Sequence, residues 1–172
     1  MGNWIFIAPI VGVIALIFAF FLSKKVSREE AGTDRMKEIA EAISDGAHAF
    51  LTAEYRILVI FIVVLFVLIA VGIGVGSGIA FVAGTLCSIL AGYFGMSVAT
   101  KANVRTANAA RTSGMNRALS IAFSGGAVMG MSVVGLGLLG VSIVYMVTGD
   151  TNILFGFSLG ASSVALFSRV GG

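Results

Sequence analysis

The stretch ILVIFIVVLFVLIAVGIGVGSGIAFVAGTLCSILAGYFGMSVAT, Ile57 to Thr100, contains no Asp, Glu, Lys, Arg or His. About 20 apolar residues at 1.5 Å each cross the roughly 30 Å hydrocarbon core of a bilayer. These 44 residues are therefore too many for one span and suit two joined by a tight turn. Gly72, Gly74, Gly76 and Gly78, with Ser77 among them, mark that turn, because residues of low helix propensity interrupt an Ile/Val/Leu run. A soluble domain is excluded: 58% of the 172 residues are hydrophobic and 11% are charged, against about a quarter charged in soluble proteins.

Working outward, Trp4 to Leu22 is uncharged and apolar apart from Gly and Pro9. Lys24, Lys25 and Arg28 follow it, whereas a cleaved secretory signal carries its positive charge in front of a shorter apolar run, so a retained first helix is expected. On the other side, Ala118 to Gly149 is uncharged and ends in the turn-like string Thr148-Gly149-Asp150-Thr151-Asn152, and Ile153 to Ser168 is a shorter block closed by Arg169. The fold class is an all-α polytopic membrane helix bundle. Five spans are expected, at about 4–22, 57–72, 79–99, 118–147 and 153–169. Cys87 is the single cysteine, so no internal disulfide forms.

All eleven Lys and Arg residues fall on one side of this threading. They are Lys24, Lys25, Arg28, Arg35, Lys37 and Arg56 before span two, Lys101, Arg105, Arg111 and Arg117 between spans three and four, and Arg169 at the end of span five. The positive-inside rule makes that side cytoplasmic and places the N-terminus outside.

The first basic segment is not a free linker. Met36, Ile39, Ile43, Ala47, Phe50 and Leu51 recur at helical steps, with Lys37 and Glu41 one turn apart, which predicts an amphipathic helix from Arg35 to Arg56 running into span two, with Asp34 as its N-cap. The second, Lys101 to Arg117, holds four cations and no acid. It reads either as a topology determinant at the headgroups or as a surface facing phosphate. Glycine pairs four apart (Gly74 and Gly78, Gly126 and Gly130, Gly156 and Gly160), and the series Gly135, Gly137, Gly140, predict close helix packing. Gly135 to Gly140 also fits G-x-G-x-x-G, but it lies inside an apolar block with no strand before it and is not a dinucleotide site.

His48 and Asp45 read as a surface pair, and Glu54 and Arg56 as interfacial anchors. Arg169 has two readings. It either reaches the cytoplasmic surface from the end of its helix or, if the helix continues, is embedded and requires an acidic partner, which is the pattern of an ion pathway.

Taken together, several strings resemble the membrane-bound, ion-translocating inorganic pyrophosphatases: Arg35-Met-Lys-Glu-Ile39, Gly46-Ala with Phe50-Leu51, Ala99-Thr-Lys-Ala-Asn-Val-Arg105, Ala109-Ala-Arg-Thr112, Gly125-Gly-Ala-Val-Met-Gly-Met-Ser132 and Arg169-Val-Gly-Gly172. The resemblance implies a pump that couples pyrophosphate hydrolysis to H+ or Na+ translocation. It implies a sixteen-helix subunit, paired as a homodimer in the cell membrane, of which this chain supplies the N-terminal part of one larger membrane domain (1–172). In that family the hydrolytic carboxylates, which hold Mg2+ and pyrophosphate, lie beyond Arg-Val-Gly-Gly, as do the determinants of potassium dependence. The expectation is a fragment, inactive alone, with no catalytic, metal or cofactor-binding residue in this segment. Arg169 matches the family arginine at the start of the ion path. Lipid and pyrophosphate are the expected partners, with no nucleic acid. The alternative, from another class, is a non-catalytic five-helix anchor or assembly protein. A small self-contained transporter is disfavoured, since no intramembrane acids or paired half-helices are apparent.

Overall fold

A computed structural model describes residues 6–171, the side chains of Arg169 and Gly171 excepted; the first residues of the expected span one, Trp4 among them, lie outside the described residues. The chain runs as five helices, α1 (Ile7–Arg28), α2 (Asp34–Gly72), α3 (Val75–Thr112), α4 (Met115–Thr148) and α5 (Thr151–Gly171). All five are long and apolar enough to cross a membrane. In hydrocarbon the backbone finds no water to bond, so helices that satisfy their own N–H and C=O groups are the solution available to such segments.

The connections are short, and glycine supplies backbone there that other residues rarely adopt. Gly74, Gly114 and Gly149, with φ of 144°, 84° and 62°, sit at the α2–α3, α3–α4 and α4–α5 turns. At the last of these, the Gly149 N–H bonds to Tyr145 O at 2.8 Å and closes α4, while Asp150 Oδ1 accepts the Asn152 N–H at 2.8 Å and opens α5. The Gly72 to Gly78 cluster therefore resolves into a turn at Ile73-Gly74 only; Gly76 and Gly78 belong to α3.

Two expectations at the basic end are corrected. Thr33, not Asp34, is the N-cap of α2, its Oγ1 accepting from Met36 N at 3.4 Å, while Asp34 begins the helix and pairs with Lys37 at 2.9 Å. Lys101 to Thr112 is not a separate segment but the continuation of α3. Its Ala and Arg residues are strong helix formers, and nothing breaks the run before Gly114. The amphipathic helix before span two is present and is continuous with it. Its seam follows Ala47, Leu51, Glu54 and Leu58, with Ile39 and Ile43 about half exposed.

Helix α3 is the hub, packing against each of the other four. A core of Ala19, Val26, Val98, Ala102 and Val128 joins α1, α3 and α4. Close approach depends on missing Cβ atoms. Cβ atoms built at Gly156 and Gly160 would overlap the carbonyl oxygens of Ser77 and Phe81, and one at Gly84 would overlap that of Phe157. Gly12 and Gly135 face each other between α1 and α4 in the same way, each Cβ position standing 2.9 Å from the other residue's carbonyl oxygen. By contrast Gly126, Gly130 and Gly137 have nothing within 4 Å. The four-residue glycine spacing thus marks a contact within this chain at 156/160, and at Gly78 against Phe66, but not at 126/130.

Replacing Gly160 with Leu should force α3 and α5 apart and lower stability by about 2 kcal/mol or more. Gly46→Ala, at a helical position with open space, should be neutral or stabilise by up to about 1 kcal/mol. Thermal unfolding of the detergent-solubilised protein, followed by size exclusion, measures both.

Candidate functional site

Two regions carry polar chemistry. The first is the basic end, where the α1–α2 connection is clamped onto α3. A helix C-terminus leaves carbonyls unsatisfied, and α3 supplies donors for those beyond Val26. Arg105 donates through Nε to Glu29 O at 3.0 Å and through Nη2 to Ser27 O at 3.3 Å, and Asn108 Nδ2 donates to Glu30 O at 3.2 Å. Asn108 is itself oriented by Arg111, whose Nη2 donates to its Oδ1 at 3.1 Å. Arg117, from the first turn of α4, reaches the Glu29 carboxylate at 2.6 Å. Gly32, at φ 89°, lets the connection pass close under Met36 and Asn108. The basic residues of 101–117 are thus in part structural donors to backbone carbonyls, a role that charge counting does not reveal because nothing in the local sequence names the carbonyls they meet.

The second region is the end of α5. With Gly156 against Ser77 and Gly160 against Phe81, α5 runs parallel to α3 at a fixed register. Extending that register sets the Arg169 backbone beside Leu90. Lys101 lies eleven residues further along α3, about 16 Å deeper toward the basic end. On α2 the same level is occupied by Tyr55, whose hydroxyl donates to Ile89 O at 3.4 Å, and Phe167 packs on Phe61 with ring centroids 5.7 Å apart. The Arg169 side chain lies outside what is described.

Glu54 stands at that level too and corrects the expectation of an interfacial anchor. It is 6% exposed, and neither carboxylate oxygen has a hydrogen-bond partner among the described residues. A carboxylate so placed is costly unless a proton or a cation compensates it. The signal was in the sequence: Leu51, Glu54 and Leu58 share one helical stripe, with buried leucines on either side of the acid. Arg56, two residues on, is exposed as expected. His48 is exposed, its Nδ1 2.7 Å from Ser44 O and its ring against Tyr93, so its partners are not Asp45.

The described acids do not fit a Mg2+ site. Glu29, Asp34 and Glu38 are taken by Arg117, Lys37 and Arg35, Asp150 caps α5, and no three His, Cys, Asp or Glu residues converge among the described residues.

Residues 13–172 match the family described as inorganic H+ pyrophosphatase. The chain is 57% identical over its whole length to the putative K(+)-stimulated pyrophosphate-energized sodium pump of Clostridium tetani and 48% identical to the K(+)-insensitive pyrophosphate-energized proton pump of Methanosarcina mazei. It is 38% identical, over 95% of its length, to the K(+)-stimulated pyrophosphate-energized sodium pump of Thermotoga maritima. It spans about 26% of the length of each of these relatives. The protein is a multi-pass membrane protein. It belongs to the inorganic H+ pyrophosphatase family.

Charged hydrogen bonds contribute about 1.5–3 kcal/mol each. Arg105→Ala should therefore loosen the α1–α2 connection, seen as faster tryptic cleavage after Arg28 in membranes opened at the basic end, with Arg105→Lys intermediate.

Proposed function

We propose that this chain supplies five helices of a pyrophosphate-energized pump that moves H+ or Na+ across the membrane, with its basic end in the cytoplasm. The observation that carries the reading is identity of 57% and 48% across the whole chain to relatives named as such pumps. In this reading α1 to α4 are scaffold, and α5 carries Arg169 at the start of the ion path.

Depth supports that role. The register of α5 on α3 sets the Arg169 backbone about 16 Å short of Lys101, level with Glu54 and Arg56 of α2; a guanidinium turned inward there, away from water, requires a carboxylate partner. A fixed positive charge beside a titrating acid lowers that acid's pKa; shifting the charge when substrate binds changes the acid's hold on its ion. The acid would come from a helix outside this chain. So would the carboxylates that hold Mg2+ and pyrophosphate, because the described acids here are engaged elsewhere or isolated. Mg2+ would neutralise the diphosphate and aid attack by water. The assembled protein is proposed to be a homodimer in contact with membrane lipid and without nucleic acid.

In membranes containing the full-length protein, Mg2+-dependent release of phosphate from pyrophosphate should accompany ion uptake into sealed vesicles, and absence of release would remove the enzymatic reading. Arg169→Ala should lower pyrophosphate-driven uptake by about tenfold or more, the effect of losing a charge that shifts a neighbouring acid by one to three pKa units. Uptake equal to that of the unaltered protein would reduce Arg169 to an anchor.

A further inference from the structure

The cations of the basic end differ in what they touch. Arg35 and Lys37 are paired with carboxylates of their own helix, Glu38 at 2.6 Å and Asp34 at 2.9 Å. Arg105 is committed to carbonyl oxygens, and Arg111 to Asn108. Lys24, Lys25 and Arg28 of α1 are exposed and have no carboxylate partner among the described residues; Lys24 stands 4.5 Å over the Phe20 ring. Together with Phe21, Glu29 and Arg117 they line a cavity of about 430 Å³ between α1 and α4. The one acid there is already held by Arg117 at 2.6 Å, so the cavity carries an excess of three positive charges, those of Lys24, Lys25 and Arg28.

We propose that this groove binds the phosphate of an anionic phospholipid. The argument rests on what lies directly above the cations. Residues 21, 24, 25 and 28 are spaced i, i+3, i+4, i+7 and form one stripe of α1. The same stripe continues toward the membrane centre through Ile17, Ile14 and Ile10, which with Phe21 are each more than half exposed. A single helix face thus presents an apolar track that ends in three cations, with a fourth from α4 opposite. This is the order of acyl chain and headgroup in a lipid, and basic pockets between helix ends are where anionic headgroups dock. A soluble phosphate or diphosphate shares the charge chemistry but has no use for the apolar track, so the lipid is the occupant the geometry favours.

The test is titration of the intact protein in detergent with dioleoylphosphatidylglycerol, bound lipid being counted by native mass spectrometry. The double variant Lys24→Gln/Lys25→Gln should bind the lipid roughly tenfold to thirtyfold more weakly, at about 1 kcal/mol per cation. Arg35→Gln/Lys37→Gln, with the same loss of charge at the same end, should stay within about twofold of the unaltered protein, and Lys24→Arg/Lys25→Arg should retain binding. Millimolar inorganic phosphate or pyrophosphate should leave the bound lipid in place.

Equal weakening by both glutamine pairs would reduce the effect to general charge, and displacement by inorganic phosphate or pyrophosphate would make the site one for a soluble anion. No retained phosphatidylglycerol in the unaltered protein would mean that the groove is covered by an acidic protein segment or empty. Each of these results overturns the proposal. Should the lysine pair fail to fold, Arg28→Gln, at an exposed position, is compared with Arg35→Gln alone, one charge each, and should weaken binding by about fivefold.

Discussion

Hydrocarbon offers the peptide backbone no hydrogen-bond partner, and the rest of this structure follows from that constraint. It makes each long apolar run a helix and confines irregular backbone to the four short connections between helices, where Gly32, Gly74, Gly114 and Gly149 take positive φ. Lipid tails are also as apolar as leucine, so burying side chains gives little drive to bring helices together; close van der Waals contact does more. The tightest approaches accordingly occur where two backbones meet at glycine, at Gly156 and Gly160 on α3 and at Gly12 with Gly135. Large apolar residues such as Ile60, Leu68 and Val71 remain outward.

The same glycines carry a functional consequence. They fix the register of α5 on α3, and that register sets the depth of Arg169. A side chain at Gly160 would not simply fill space but would shift the end of α5 relative to Tyr55 and Glu54 of α2. The link from sequence to proposed mechanism therefore runs through two residues with no chemistry of their own. At the basic end the link is of another kind: Arg105 and Asn108 take up carbonyl oxygens around the end of α1, which holds α1 against α3 and α4 and so shapes the cation-lined groove between α1 and α4.

Much of the fold was legible because its signals are local sums. Uninterrupted apolar length gives the spans and glycine clusters give the turns, while the one-sided distribution of Lys and Arg is the basis of the expected threading. The amphipathic start of α2 was legible from periodicity alone. What escaped depends on partners distant in sequence. Gly126 and Gly130 have the spacing of a packing motif yet meet nothing within this chain, since spacing says that a helix can be approached, not by what. Lys101 to Thr112 carries loop-like charge but has the propensity to extend α3. The charge of Glu54 points to an interface, whereas the leucines three before and four after it decide its burial. For Arg169 the sequence supplies the residue and the family resemblance a proposed role, while the level of its backbone along α3 follows only from the α3–α5 contact.

The threading is tested most directly by single cysteines placed at Asp150 and at Arg111 in a Cys87→Ser background and exposed, in intact cells, to a membrane-impermeant maleimide. Labelling of Asp150→Cys from outside, with Arg111→Cys labelled only after the membrane is opened, is the expected result. The reverse pattern, or labelling of both positions from the same side of the sealed membrane, would contradict the five-span threading with every cation on one face.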